Sequence, residues 1–225
     1  MNLLFVDACP RAAESRTLAL AEHLLARLKG AVPGLSVRTH CLRAMGLRGI
    51  DAGGLARREA LCDRRAWEEE GLPAEDAALL RTGLDFQRAD ALVIAAPYWD
   101  LSFPSVLKTW TENIWIRNLT FVYRHDKPVG LARGKAAVYV TTAGSFTAGH
   151  DWGTLYVRDV LRTLGVPAFR DVKAEGLDLD GADPEAILSL ARTRAEEAAD
   201  WLRDRLAAPD ASLPAPDPIY PEERL

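Results

Sequence analysis

The chain has 225 residues, enough to bury a full core as one domain or at most two small ones. Apolar residues make up 48% and charged residues 27%, an ordinary balance for a soluble protein, and the net charge of −4 gives no overall attraction to nucleic acid or an anionic membrane. No apolar run is long enough to span a bilayer, and the widely spaced Cys9, Cys41 and Cys62 form no CxxC or Cys/His pair that would hold zinc or frame disulfides.

The N-terminus carries Asp7 inside its apolar stretch and lacks a basic leader. It therefore reads as a first strand over Leu3 to Val6, not a signal peptide, and a cytoplasmic location is expected. Ala8 to Glu14 reads as a loop, with Ser15 as N-cap of a helix whose buried face is Leu18, Ala21, Leu25 and Leu28. Gly30 and Pro33-Gly34 stop that helix, and Leu35, Val37 and Thr39 alternate with polar residues as a more exposed strand does. Residues 42–72, rich in Arg, Glu and Gly, lack a sustained period and predict an excursion with one or two short helices. A helix then runs from Pro73 through Leu79, Leu80 and Phe86 into a buried strand over Ala91 to Ala95.

Pro97 ends this strand, because it has no N–H for the ladder, and Pro104 suits the start of the next helix. That helix presents Val106, Leu107, Trp110 and Ile114 on one face, and Trp110 and Trp115 are assigned to packing. Thr120 to Tyr123 alternates before a turn-like His125-Asp126-Lys127-Pro128, as in a small hairpin. Ala136 to Thr142 reads as a fourth sheet strand, Tyr156 to Leu164 as a helix stopped at Gly165-Val166-Pro167, and Phe169 to Ala174 as a weaker fifth strand. A terminal helix covers Pro184 to Leu206, and the Pro- and Asp-rich tail from Ala207 is expected to be extended or disordered. Strands alternating with helices predict an α/β fold, a doubly wound five-stranded parallel sheet of flavodoxin-like type with helices on both faces. The expected organisation is one domain over 1–206 and a tail over 207–225.

In such a sheet the loops after the first, third and fourth strands converge. The first, Cys9 to Thr17, runs into a helix N-terminus, where open N–H groups, the Ser15 and Thr17 hydroxyls, and Arg11 or Arg16 suit a single phosphate. It matches neither GxGxxG nor GxxxxGK[ST], and taken alone Ser15 is an ordinary N-cap. The second, Pro97-Tyr98-Trp99-Asp100-Leu101-Ser102-Phe103, exposes aromatic surface and turning amides that suit a planar ring with polar edges. The third, Thr141-Thr142-Ala143-Gly144-Ser145-Phe146-Thr147, has small residues that let backbone approach a ligand edge, though this signal is weak by itself.

Taken together, Ser15-Arg16-Thr17, Pro97 to Pro104, Thr120 to Tyr123, Pro128 to Leu131 and Ala174 to Leu177 resemble the flavodoxin-like NAD(P)H-quinone oxidoreductases and FMN-dependent azoreductases. The resemblance implies non-covalent FMN, with its phosphate at Cys9, Ser15 and Thr17. The isoalloxazine would lie against Pro97, Tyr98, Trp99, Asp100 and Leu101, closed on its other edge by Thr142, Ala143, Gly144 and Ser145. It further implies NADH or NADPH as hydride donor, a quinone or azo compound as acceptor, ping-pong turnover, and a homodimer with the site at the subunit interface. Tyr98 and Tyr123 would line the substrate pocket, with no obligatory catalytic side chain. The chain departs from the azoreductase pattern at Cys9 (commonly Ser), Asp100 (commonly Asn) and Ala143-Gly144-Ser145 (commonly Arg-Gly-Gly). It fits the broader quinone-reductase group at least as well.

Two rival classes stand beside this one: a flavodoxin-like electron carrier or sensor, and an interaction domain that has lost FMN. A serine hydrolase is disfavoured because no GxSxG elbow is present. His23, His40, His125 and His150 read as solvated, Cys41 and Cys62 as structural, and Arg57-Arg58 and Arg64-Arg65 as a solvated face in preference to a 2′-phosphate contact.

Overall fold

The structure is a computed structural model and describes residues 1–62, 71–134 and 136–208. Its elements run β1 (Asn2–Asp7), α1 (Arg16–Ala31), β2 (Ser36–Cys41), α2 (Ala52–Cys62), α3 (Ala74–Arg88), β3 (Ala91–Ala95) and α4 (Ser105–Asn113). They continue with β4 (Phe121–Arg124), β5 (Lys127–Gly130), β6 (Ala136–Thr142), α5 (Trp152–Thr163), β7 (Ala168–Ala174) and α6 (Pro184–Ala207). The sheet order is β2-β1-β3-β6-β7, all parallel, as a doubly wound flavodoxin-like sheet requires.

Successive strand residues point to opposite faces, and this splits the core in two. Leu3, Phe5, Val93 and Val138 pack under α1 and α6, while Leu4, Val6, Ile94 and Tyr139 pack under α3, α4 and α5. The α1/α6 face is lined by small residues, Ala91, Ala95 and Ala136, and meets Ala191, Ala195 and Ala198 of α6. The long terminal helix can therefore lie close to the sheet. A satellite cluster of Leu61, Leu80, Leu84 and Ile116 fastens α2 to the outer side of α3.

The element reading holds with local differences. In the 42–72 segment α2 forms over Ala52–Cys62, and residues 63–70 lie outside the described residues, as do 209–225 of the tail. The helix carrying Trp110 ends at Asn113, so Trp115 is not at a helical position. It packs on Phe121, ring centroids 5.6 Å apart. The expected hairpin is β4 paired antiparallel with β5.

His40 is the larger correction, since the alternation of β2 places it on a solvated face and the structure buries it. Its Nδ1 accepts the Trp110 indole N–H at 3.1 Å and its Nε2 faces Asp85 at 3.1 Å. An indole nitrogen only donates, so the pairing sets the Nε2–H tautomer. A partner on a distant helix fills the polar need that would otherwise have drawn the ring to water.

The β4–β5 hairpin closes onto the end of α5 through Gly130, where a Cβ would overlap the backbone of Leu164 and Gly165. Gly130→Ala is therefore expected to destabilise the fold by about 2 kcal/mol, because the neighbouring atoms are main chain and cannot rotate away. Urea unfolding of the variant against wild type measures it.

Candidate functional site

The chain leaves β1 toward β2 on one side, while β3 lies on the other, so a crevice opens above the carboxyl ends of β1 and β3. The expected loops meet there. Thr17 Oγ1 and Thr142 Oγ1 are 2.6 Å apart, tying the start of α1 to the end of β6. The sheet ladder continues past β3, with Ala96 N–H on Val140 O and Tyr98 N–H on Thr142 O, both within 3.1 Å. A cavity of about 190 Å³ results, lined by Ser15, Arg16, Thr17, Tyr98, Thr142 and Gly144 among others. A second of about 420 Å³ adjoins it, sharing Pro10 and Trp99 and adding Cys9, Arg43, Asp100 and Phe103.

The hydrogen bonds decide which backbone donors face the cleft. Ser15 caps α1, its Oγ accepting the Leu18 N–H at 3.2 Å, and its carbonyl takes the Ala19 N–H. Arg16 and Thr17 are left with the open amides of the first turn. In the aromatic loop, Trp99 and Ser102 exchange both backbone bonds (3.1 and 2.7 Å) across a turn whose tip residues, Asp100 (φ 52°) and Leu101 (φ 66°), are left-handed. This is the geometry of a type I′ turn, which Asp tolerates and Leu rarely adopts. It persists because neighbours hold it. Leu101 O accepts the Trp152 N–H, and α5 abuts Ser102 at Gly153, where a Cβ would meet the Ser102 carbonyl at 3.1 Å. The outward amides are those of Asp100 and Leu101.

The third loop lies along the segment after β7. Ala143, Gly144 and Ser145 give their carbonyls to the amides of Leu177, Asp178 and Gly176, and Ala143 N–H goes to Ala174 O. Gly144 and Ser145 keep free amides among the described residues. A Cβ at Gly144 would overlap the Asp178 carboxylate, which reaches Arg16 at 2.9 Å and closes the smaller cavity. The cleft is thus rich in donors at both ends, with aromatic surface between.

Other expected residues sit differently. Cys9 is buried, its amide donates to Asp7 Oδ1 at 3.0 Å and its thiol to Ala95 O at 3.5 Å. Burial pushes that thiol up to about 12, so it is a neutral core group at neutral pH. The Tyr98 hydroxyl is engaged with the His150 carbonyl at 3.2 Å. Tyr123 stands on the hairpin, 61% exposed, and lines neither cavity. Leu101 and Ser145 are exposed and Ala143 is buried, and none of the three lines either cavity. Arg57, its side chain 40% exposed, pairs at the surface with Glu75 and Asp76, both at 3.6 Å; Arg64 and Arg65 lie outside the described residues.

Sequence reasoning missed Arg43, Asp178 and the Asp151–Lys173 pair. Arg43 sits in the aperiodic segment after β2, and no spacing links it to Asp7, whose buried carboxylate it bonds. That bond holds the Arg43 pKa above the ordinary guanidinium value. Asp151 caps α5 through Thr154 N–H at 2.9 Å and meets Lys173 Nζ at 2.6 Å.

Geometry of this kind, a parallel sheet with its strand order reversing beneath a donor-lined, aromatic-walled cleft, defines a flavodoxin-like doubly wound α/β protein. A family model, Flavodoxin_2, described as a flavodoxin-like fold, matches residues 1–199, and the chain belongs to that family. It is 31% identical over 204 residues to the FMN-dependent NADH:quinone oxidoreductase of Caldicellulosiruptor saccharolyticus, a match covering 88% of this chain and 98% of that one. It is 37% identical over 130 residues to FMN-dependent NADH:quinone oxidoreductase 2 of Clostridium acetobutylicum, where the match covers 56% of this chain and 65% of the relative. Among solved structures, an FMN-dependent NADH-azoreductase from Bacillus anthracis in complex with FMN superposes with a TM-score of 0.77 at 23% identity, over 90% of this chain and 99% of that one, a likeness of fold.

The Asp151 cap carries a pH prediction. Burial works against its carboxylate, but hydrogen bonds from Lys173 and Thr154 outweigh that and hold its pKa below the usual range. A carboxylate depressed in the folded state stabilises fully above its unfolded pKa of about 3.9, and the contribution is lost as pH falls through the lower folded value. Asp151→Ala should cost about 2 kcal/mol near neutral pH, and its difference from wild type should shrink in urea titrations run at about pH 3.

Proposed function

We propose that this protein is an FMN-dependent NADH:quinone oxidoreductase, reducing quinones or similar flat acceptors, azo compounds included, by two electrons. The observation that carries the reading is the cleft at the β1/β3 switch point, where donors stand at both ends of an aromatic wall. FMN fits the residues present. Its phosphate suits the open amides of Arg16 and Thr17, the Thr17 hydroxyl and the positive first turn of α1. Its ring carbonyls suit the amides of Asp100, Leu101, Gly144 and Ser145, with Pro97, Tyr98 and Trp99 as the flat wall, and Thr142 and the backbone at Ala143 completing the floor. Gly144 is the cradle position, since any side chain there would strike Asp178.

When bound, FMN supplies the chemistry by accepting a hydride from NADH and delivering it to the acceptor. The chain's part is to bind, orient and shield. The Asp100–Leu101 turn, braced by α5, holds its amides at fixed positions. Asp100 has only acceptor oxygens when ionised and suits a ring N–H. Cys9 supports the first loop from within, through its amide on Asp7 and its thiol on the Ala95 carbonyl. One cleft used in turn by donor and acceptor would give ping-pong kinetics.

The same reading extends to a cytoplasmic homodimer and to NADPH as a second donor. Trp99, Leu101, Phe146 and Trp152, between 41% and 67% exposed, surround the cleft, and a second copy would cover them. Tyr123, remote from the cavities of its own chain, would then reach a substrate pocket across the interface.

Protein mixed with FMN and desalted should retain flavin absorbance that bleaches with NADH in the absence of oxygen and returns with a quinone. Retained bands that do not bleach would mark an electron carrier instead. Thr17→Val should weaken FMN about tenfold by removing one buried hydroxyl contact, read as a flavin titration followed by fluorescence.

A further inference from the structure

The larger cavity contains a charged group that the proposed flavin site does not use. Arg43 follows β2, is 38% exposed, and lines the 420 Å³ space together with Cys9, Trp99, Asp100 and Phe103. Its Nη1 is committed inward, to the buried Asp7 carboxylate and to Cys9 O at 3.3 Å. A guanidinium has five N–H donors in a rigid plane. Fixing one nitrogen on Asp7 therefore fixes the direction of the others, and Nε and Nη2 have no partner among the described residues. Asp7 is itself almost fully buried and also receives the Cys9 amide, so the anchor does not move with solvent.

The walls around this cation are apolar, with Trp99 and Phe103 as flat surfaces and Pro10 and Pro104 between them. A volume of about 420 Å³ is enough for a bicyclic aromatic molecule. The first turn of α4, at Ser105 and Val106, forms part of the same wall and adds potential of the same sign. Asp100 opposes it from the turn tip, so an anion would settle on the Arg43 side. Because the cavity shares Trp99 and Pro10 with the smaller one, a ligand stacked at the aromatic loop could extend into it.

We infer that Arg43 is a specificity residue that reads an acidic substituent, sulfonate or carboxylate, on a flat aromatic acceptor. The inference rests on the oxidoreductase reading and names its preferred substrate class. Asp7 acts through Arg43 as the positioning residue, aiming the guanidinium without touching the ligand. A planar fork gripping an oxyanion bidentately is specific to Arg, and a lysine at the same place would supply charge without the second contact.

The test compares 1,4-naphthoquinone with 1,4-naphthoquinone-2-sulfonate on FMN-loaded protein. Equilibrium binding is read by titration calorimetry without NADH, and kcat/KM is measured with it. For Arg43→Gln, affinity for the sulfonate relative to the parent quinone should fall about tenfold, and Arg43→Lys should recover part of the loss. Because Arg43→Gln leaves Asp7 buried without its partner, the pair Asp7→Asn with Arg43→Gln is measured as well, and it should show the same change in preference. Equal losses for the two quinones, no loss for either, or a loss confined to NADH would overturn the inference. Failure of wild type to reduce the neutral quinone would instead overturn the oxidoreductase reading, and this one with it.

Discussion

Strand β1 has β2 on one side and β3 on the other, and a parallel crossover is right-handed in nearly every protein. The helix leaving β1 must therefore cover one face and the helix leaving β3 the other, so α1 and α4 diverge and a crevice opens between them. The packing is built around that divergence. Small residues under α6 let one face close tightly, whereas Trp110, Phe86 and Tyr139 fill the deeper space beneath α3, α4 and α5. The crevice is a necessary gap in the fold, and its chemistry is set by the loop ends that the strands bring there.

Those loop ends are organised by where their backbone hydrogen bonds go. Buried N–H and C=O groups must be paired, so each loop first satisfies its inward groups. Tyr98 gives its amide to Thr142, Trp99 and Ser102 pair with each other, and the carbonyls of residues 143–145 are taken by the segment after β7. What remains outward is a set of donors at Arg16, Thr17, Asp100, Leu101, Gly144 and Ser145. A cleft with this bias favours ligands rich in hydrogen-bond acceptors.

Ion pairs carry the remaining constraints between elements. Asp7 and Arg43 tie the first loop to the segment after β2, Arg16 and Asp178 tie α1 to the segment after β7, and Asp151 and Lys173 tie α5 to β7. The buried partners are the informative ones. The exposed Arg16–Asp178 pair holds little by itself, whereas Asp7 and Asp151 are shielded and would be costly to leave unpaired. Each buried carboxylate also accepts a backbone amide at the start of a loop or helix, so charge and chain direction are set together.

Local pattern by itself determined the five-stranded parallel sheet, its flanking helices, the Ser15 cap and the aromatic loop. Side-chain period, caps and prolines act over a few residues and are written directly in the chain. Pro97, Tyr98, Trp99 and Gly144 were legible for that reason, and so was the hairpin through Tyr123. What only the tertiary structure decided were the pairings between residues far apart in sequence: His40 with Trp110, Arg43 with Asp7, Asp178 with Arg16 and Gly144, and Lys173 with Asp151. It also turned Cys9 inward and placed Trp115 past the end of its helix. The physical reason is that a polar side chain has no periodic signature. Whether it faces water, a partner or a ligand depends on which groups the sheet order brings within about 3 Å of it.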